Sequence, residues 1–143
     1  MPSRLGNFFI SALVRSPLHP LLGDSFAVIS LRGRRSGRRI STPINVLRDG
    51  DTLMVVSMRA RTWWRNLRSG EPASLRLAGN SHTVRGEVIE DPDQVGEELT
   101  RYFSHRPGDA KYFGVQLRAD GSPSAGSLSH AARERVIIRL RIV

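Results

Sequence analysis

Residues 33–39, Gly33-Arg34-Arg35-Ser36-Gly37-Arg38-Arg39, lie between two β-like runs and force the chain to reverse between them. Ser25 to Arg32 is apolar at Phe26, Val28 and Ile29, and Arg39 to Arg48 supplies the partner strand. Glycine bends sharply at little steric cost, so two glycines bounding this stretch predict a tight β-hairpin. The turn also packs four arginines into six residues, 34–39. A hairpin does not need that many charges to stay soluble. Guanidinium forks match phosphate and carboxylate oxygens two at a time. The turn therefore reads as an anion grip mounted on a sheet.

Short strands and turn signals continue along the chain. Asp49-Gly50-Asp51 predicts a second hairpin, leading into a third strand from Thr52 to Ser57. Thr62 reads as the cap of a short helix, Trp63 to Ser69, stopped by Gly70 and Pro72. Ser74 to Ala78 and His82 to Glu90 read as two further strands joined at Gly79-Asn80. Asp91-Pro92 opens a helix from about Asp93 to Ser104, with acids in its first turn. Tyr112 to Leu117 is expected to be extended, and Ser127 to Arg133 to form a short helix. The last strand, Arg135 to Val143, alternates Val136, Ile138, Leu140 and Ile142 with Arg135, Arg139 and Arg141. Leu5, Phe8, Phe9, Ala12 and Leu13 form an apolar stripe that predicts an amphipathic helix over residues 3–15, ending before Pro17. The expected fold is a single domain over residues 1–143. It is mainly β, with six or so antiparallel strands in a small barrel and flanking helices outside.

Composition narrows the chemistry. The chain has no cysteine, which removes disulfides, thiolate metal sites and a cysteine nucleophile, and allows a reducing cytoplasm. His19, His82, His105 and His130 lack metal-ligand spacing, so no metal is expected. There is no nucleophile elbow and no Walker motif. The glycine turn lies between two strands, whereas a dinucleotide fingerprint opens a helix. The acids between Glu87 and Glu98 are expected to form a solvated helix face rather than a catalytic pair.

The net charge of +9 is unevenly placed: residues 32–48 carry six arginines and no acid, and residues 87–98 carry six acids and no base. One end of the molecule should attract polyanions. No run approaches the roughly 20 apolar residues of a membrane span. The apolar piece closed by Arg15-Ser16-Pro17 lacks a signal-peptide cleavage pattern, so a cytoplasmic location is expected.

Two further segments join the arginine turn as a candidate site: Ser57-Met58-Arg59-Ala60-Arg61, and the helix start Thr62-Trp63-Trp64-Arg65-Asn66-Leu67. A helix start presents free N–H groups to anions, and Arg59 and Arg61 add full charges. Trp63 and Trp64 are separated by about 100° on a helix, so one ring can enter the core while the other faces a ligand. A phosphate-bearing aromatic cofactor would use all of these features.

Taken together, the Gly-Arg-Arg-Ser-Gly-Arg-Arg turn with Thr42-Pro43, Asp49-Gly50-Asp51, Val55-Val56-Ser57 and Trp63 with Asn66-Leu67 resemble the deazaflavin-dependent nitroreductase and quinone reductase family of the split β-barrel flavin-binding clan. The resemblance runs from about Arg15 to Val88. It continues more weakly through Tyr112-Phe113-Gly114-Val115 and Ala131-Ala132. It implies a split β-barrel of the FMN-binding type and the cofactor coenzyme F-420, a deazaflavin with a phosphate and a glutamate tail. The implied reaction is hydride transfer to an electron-poor acceptor such as a quinone, an activated alkene or a nitroaromatic.

By that analogy Arg34, Arg35, Ser36 and Arg39 hold the phosphate and tail, and Thr42, Pro43 and Asn45 line the ring pocket. Ser57, Met58 and Arg59 bound its other side, and Trp63 and Asn66 come from the helix start. Tyr112 is the candidate proton donor, with solvent as the alternative, and FMN is the alternative cofactor. Two other readings stand beside this one. A basic nucleic-acid-binding module would suit the charge, but no aromatic residues are interleaved with the arginine turn. The N-terminal helix, flanked by Arg4 and Arg15, could touch a membrane surface. A homodimer formed through the sheets is the family-level expectation.

Overall fold

The computed structural model describes residues 26–77 and 79–143. The amphipathic helix expected over residues 3–15, and the membrane contact assigned to it, lie outside the described residues. Seven strands form one antiparallel sheet: β1 (Phe26–Arg32), β2 (Arg39–Asn45), β3 (Leu47–Asp49), β4 (Thr52–Met58), β5 (Ala73–Leu77), β6 (Asn80–Ile89) and β7 (Arg135–Ile142). Their spatial order is β2-β1-β5-β6-β7-β4-β3. Two α-helices, α1 (Pro92–His105) and α2 (Ala125–Arg133), pack outside, and two 3-10 helices cover Trp63–Leu67 and Pro107–Phe113. The architecture is mainly β, a sheet curled into a split barrel with helices on one flank.

The curl follows from one residue. The stretch Arg39 to Arg48, expected as a single strand, is two strands joined at Val46. β2 is one edge of the sheet and β3 is the other. Consecutive strands at opposite edges oblige the sheet to bend until its edges face each other, and β2 touches β4 across the remaining gap. Val46 is fully buried at this corner.

Period-2 alternation sends Ala27, Ile29, Leu53, Val55, Leu75, Ile138 and Leu140 into the barrel, where Trp63, Trp64 and Leu67 of the first 3-10 helix plug the interior. Gly86 makes room for that plug: a Cβ there would come within 3.3 Å of both Leu67 and Leu140. The outer faces of β4 and β7 place Met54 and Ile137 against Val95, Leu99 and Phe103 of α1 and Ala131 and Ala132 of α2. Asp91 caps α1 by accepting from the Gln94 N–H at 3.1 Å, and Pro92 follows at the first helical position.

Tyr112–Leu117 is not extended. Residues Pro107–Phe113 form a 3-10 helix that ends at left-handed Gly114, and only Leu117 makes a strand-like bridge, to Pro123. Proline at the start and a positive-φ glycine at the end define a helical turn better than the aromatic pair between them defines a strand. The expected helix Trp63 to Ser69 is likewise a 3-10 segment of five residues. Among the described residues no helix is long and apolar enough to cross a membrane.

Candidate cofactor site

The arginine turn is held by its own backbone. The Gly33 N–H donates to the Arg38 carbonyl at 2.7 Å, and the Gly37 N–H to the Gly33 carbonyl at 2.9 Å. Gly37 sits at φ 69°, where a side chain would be strained. The turn is also tied to the first 3-10 helix. Asn66 Oδ1 accepts from the Arg34 N–H at 2.8 Å, and Asn66 Nδ2 donates to the Trp63 carbonyl at 2.9 Å. Both ends of the Asn66 amide are thus engaged in holding two segments together. Between these segments lies a cavity of about 540 Å³, lined by Arg34, Arg35 and Ser36 on one side and by Thr62, Arg65 and Arg68 on the other.

Its electrostatics are those of an anion site. Arg34 and Arg35 are exposed and have no acidic partner among the described residues. Arg68 grips Glu90 through two hydrogen bonds, at 2.6 and 3.0 Å, and lies 5.0 Å from the Trp64 ring centre, with Arg65 at 5.5 Å. The Arg68 hydrogen bond holds the Glu90 carboxyl below the usual carboxylate range. The positive charge of this cavity comes chiefly from Arg34, Arg35 and Arg65, since Arg68 is paired with Glu90, and not from a helix terminus. The helix is a five-residue 3-10 turn with no side-chain cap from Thr62, too short to build a macrodipole.

The two tryptophans do not divide between core and ligand. Both are buried, at 7% and 1% exposure, because the short turn lays both rings over the barrel interior. Trp63 Nε1 donates to Ser57 Oγ at 3.2 Å, and the Ser57 hydroxyl donates to the Met58 carbonyl at 3.2 Å. Arg59 is anchored to backbone. Its guanidinium donates to the carbonyls of Glu90 (2.6 Å), Arg135 (3.0 Å) and Arg133 (3.1 Å), which fastens the loop after β4 to the α2–β7 junction.

Thr42, Pro43 and Asn45 on β2 and Ser57 and Met58 at the end of β4 flank the gap between the sheet's edges. Thr42 and Ser57 are buried, while Pro43, Asn45 and Met58 are exposed. At one end of the gap Asn45 joins Tyr102, Asp109, Tyr112 and Phe113 around a second cavity of about 320 Å³. Ile40 lines the first cavity and Asn45 the second, so the two are roughly 17 Å apart along β2. Tyr112 is 74% exposed, with the Lys111 ammonium 5.1 Å from its ring centre. The Tyr102 hydroxyl donates to Asp109 at 2.7 Å, and its pKa is pushed up to about 12, chiefly by burial.

The structure brings Arg34, Arg35, Ser36 and Asn66 together. Arg39 projects from β2 on the other side of the turn, beside Arg32. Arg65, Arg68, Tyr102 and Asp109 were not singled out from the sequence. Arg65 and Arg68, three apart on the helix that follows the turn in space, carried a legible signal. Tyr102 and Asp109 carried none.

The sequence model of the F420H(2)-dependent quinone reductase family matches residues 15–120 of the 143. The chain belongs to that family. It is accordingly an oxidoreductase whose cofactor is the deazaflavin F-420. No curated protein matches the sequence. Among solved structures, an F420 reductase is similar at 18% identity and a TM-score of 0.51, over 88% of this chain and 92% of its own. The flavocytochrome Anf3 of Azotobacter vinelandii is similar at 18% identity and 0.55, over 94% and 63%. An FAD- and heme-binding protein of Mycobacterium smegmatis is similar at 20% and 0.52, over 90% and 67%. At these identities the likeness establishes the shared fold.

In this reductase Asn66 ties the arginine turn to the 3-10 helix without contributing charge. Replacing it with alanine releases the Arg34 backbone while leaving every guanidinium in place. The Kd for coenzyme F-420 should rise about fivefold, the cost of roughly one hydrogen bond. A fluorescence titration of the Asn66→Ala protein reads this directly.

Proposed function

We propose that this reductase transfers a hydride from reduced coenzyme F-420 to a small electron-poor acceptor: a quinone, an activated alkene or a nitroaromatic. The observation that carries the reading is the cavity in which Arg34 and Arg35, without acidic partners among the described residues, face Arg65 and the Glu90-paired Arg68. This donor set suits a phosphate followed by carboxylates, the charged appendage of the deazaflavin. When bound, the deazaflavin supplies the hydride.

The protein's own residues bind and orient. Arg34, Arg35 and Ser36 hold the phosphate and the start of the tail, with Arg65 and Arg68 closing the opposite wall. Thr42, Pro43 and Asn45 on one side of the gap, and Ser57 and Met58 on the other, position the ring. Trp63 acts through Ser57 and Arg59 through the loop after β4, both as positioning residues. The acceptor gains a proton as well as the hydride, and Tyr112, which lines the far cavity, is the residue proposed to give it, with solvent as the alternative. No protein nucleophile is required, and the sequence offers no motif for one.

Titration of the purified protein with oxidised F-420 and then FMN, followed by absorbance and fluorescence, tests the cofactor. Binding of F-420 with a Kd at least tenfold below that of FMN is the expected result. Tighter binding of FMN would transfer the same grip to a flavin phosphate. Turnover of reduced F-420 with a panel of quinones, enones and nitroaromatics then names the acceptor. Tyr112→Phe should lower kcat about a hundredfold with the cofactor Kd unchanged. A kcat equal to that of the wild type would assign the proton to water, which reaches this exposed ring freely.

A further inference from the structure

Sulfur is scarce at this protein's surface. The chain has no cysteine, and of its three methionines Met54 is fully buried while Met58 is 39% exposed. Among the described residues Met58 therefore carries the one sulfur open to solvent. It ends β4 at the gap between the sheet's edges. Val56, two residues earlier on the same face, lines the cavity that Tyr112 and Phe113 share. Opposite Met58 in the β4–β7 register stands Arg135, so the two side chains project from one side of the sheet. The Arg135 guanidinium lies 4.8 Å from the Phe113 ring centre, and its hydrogen bond, from Nη1 to the Ala131 carbonyl, is long at 3.3 Å. Burial holds its pKa below the usual guanidinium range, and it forms no ion pair with a described carboxylate. A desolvated cation with donors to spare thus stands across from a thioether, a weak acceptor.

We propose that Met58 is a reversible oxidation site and that Arg135 receives its oxidised form. Hydrogen peroxide transfers one oxygen atom to the thioether. The sulfur loses two electrons and becomes a sulfoxide, and the peroxide leaves as water. The sulfoxide oxygen is polar where the thioether was apolar, and the nearest cross-strand donors are the N–H groups of Arg135. Turning toward them, the oxidised side chain leaves the gap and draws the guanidinium off the Phe113 ring. The effect on the cofactor rests on the F-420 reading above, in which Met58 positions the ring; the modification and its contact with Arg135 do not. Methionine sulfoxide reductase reverses the step: a dithiol is oxidised to a disulfide, the oxygen leaves as water, and the thioether returns. Oxidants would then slow this reductase and thiols would release it.

Peptide mass mapping after peroxide treatment should place the added oxygen on Met58, with Met54 untouched until the protein is unfolded. The Kd for F-420 is measured on each protein before and after treatment. Oxidation should raise it about fivefold in the wild type, the low end of the cost of setting a polar group against an apolar ligand. The same ratio should be about one in Met58→Leu, whatever the starting Kd of that variant, and below about two in Arg135→Leu. Methionine sulfoxide reductase with dithiothreitol should return the oxidised wild type to its starting Kd. A ratio of one in fully oxidised wild type overturns the control of binding, and a ratio in Arg135→Leu equal to that of the wild type overturns the part given to Arg135.

The second arm is independent of the cofactor. Phe113 meets Phe103 edge to face, so the phenylalanine bands of the near-ultraviolet circular dichroism spectrum report its surroundings. The difference spectrum, oxidised minus untreated, should show these bands shifted in the wild type and flat in Met58→Leu and Arg135→Leu. Bands unmoved in oxidised wild type, or moved equally in Arg135→Leu, overturn the contact. If F-420 binds neither state of the protein, the functional reading fails while the bands still judge Met58 and Arg135.

Discussion

Alanine in place of both Arg34 and Arg35 raises the Kd for coenzyme F-420 at least tenfold and leaves the fold intact. The two side chains make no hydrogen bond within the described protein, so their removal costs no packing. The contacts that shape the turn, from Gly33, Gly37 and the Arg34 N–H, are backbone and persist in the variant. Charge-assisted hydrogen bonds contribute about 1.5–3 kcal/mol each. Both arginines are exposed, and water screens that contribution. Half of it from each residue still amounts to a factor of ten or more. The screening supplies a second readout. The Debye length falls from about 10 Å at 0.1 M salt to about 3 Å at 1 M, so the gap between wild type and variant should narrow as salt is added. The KM for reduced F-420 should rise while kcat is retained, because the phosphate grip acts equally on ground and transition states. A double variant that binds as the wild type does, at low and high salt, would place the phosphate elsewhere.

The parts of this site that were legible in the sequence are those fixed by local chemistry. Glycine spacing announced the arginine turn, and Asp49-Gly50-Asp51 announced the β3–β4 hairpin, with Gly50 at φ 60°. Period-2 alternation in β7 foretold that Val136, Ile138 and Leu140 share the face buried in the barrel. What was not legible depends on where separate segments meet. Nothing local marks Val46 as the corner at which the strand leaves one edge of the sheet for the other, yet that corner creates the gap flanked by Thr42, Asn45, Ser57 and Met58. Arg59 looked like a ligand-facing charge because it neighbours the helix start. Its three carbonyl partners come from residues 90, 133 and 135, far away in sequence. Asn66 enters only through the family resemblance, because its bond to Arg34 spans 32 residues and has no local signal. Tyr112 to Leu117 was misread because its aromatic residues suggest a strand, while Pro107 and Gly114, which bound a helical turn, lie at and beyond its ends. The acids between 87 and 98 form more than a solvated face, since Glu90 pairs with Arg68 and Glu98 with Arg139.

Asp49→Ala should cost about 2–3 kcal/mol of stability and lower the melting temperature by about 10 °C, with little effect on cofactor binding. The Asp49 carboxylate is 6% exposed at the foot of the β3–β4 hairpin. It accepts from Arg101 at 2.6 and 3.1 Å and from Arg139 at 3.2 Å through both terminal nitrogens, with His105 at 3.7 Å. These contacts clamp α1 to the sheet. Removing one partner of a fully buried pair costs about 3–5 kcal/mol. Two features reduce that here: Arg101 is 60% exposed and regains water, and Arg139 keeps Glu98 and the Thr52 hydroxyl.

The pH dependence follows from the carboxyl's shift. The Arg101 hydrogen bond leads in holding it below the usual range, against the opposing effect of burial. A group whose pKa is depressed by folding stabilises above its unfolded value, near 4, and loses that contribution as the pH falls through its folded value. The melting curves of wild type and Asp49→Ala should therefore differ at pH 7 and converge as the medium is acidified below about pH 4. Asp49→Asn, which keeps the shape and some hydrogen bonds but not the charge, should fall between the two. Asp49 sits at the opposite end of β4 from Ser57 and Met58, so the F-420 Kd below the melting temperature should be unchanged. A variant as stable as the wild type at pH 7 would mean that Glu98 alone neutralises Arg139, and that the clamp between α1 and the sheet is apolar, carried by Val95, Leu99 and Phe103 against Met54 and Ile137.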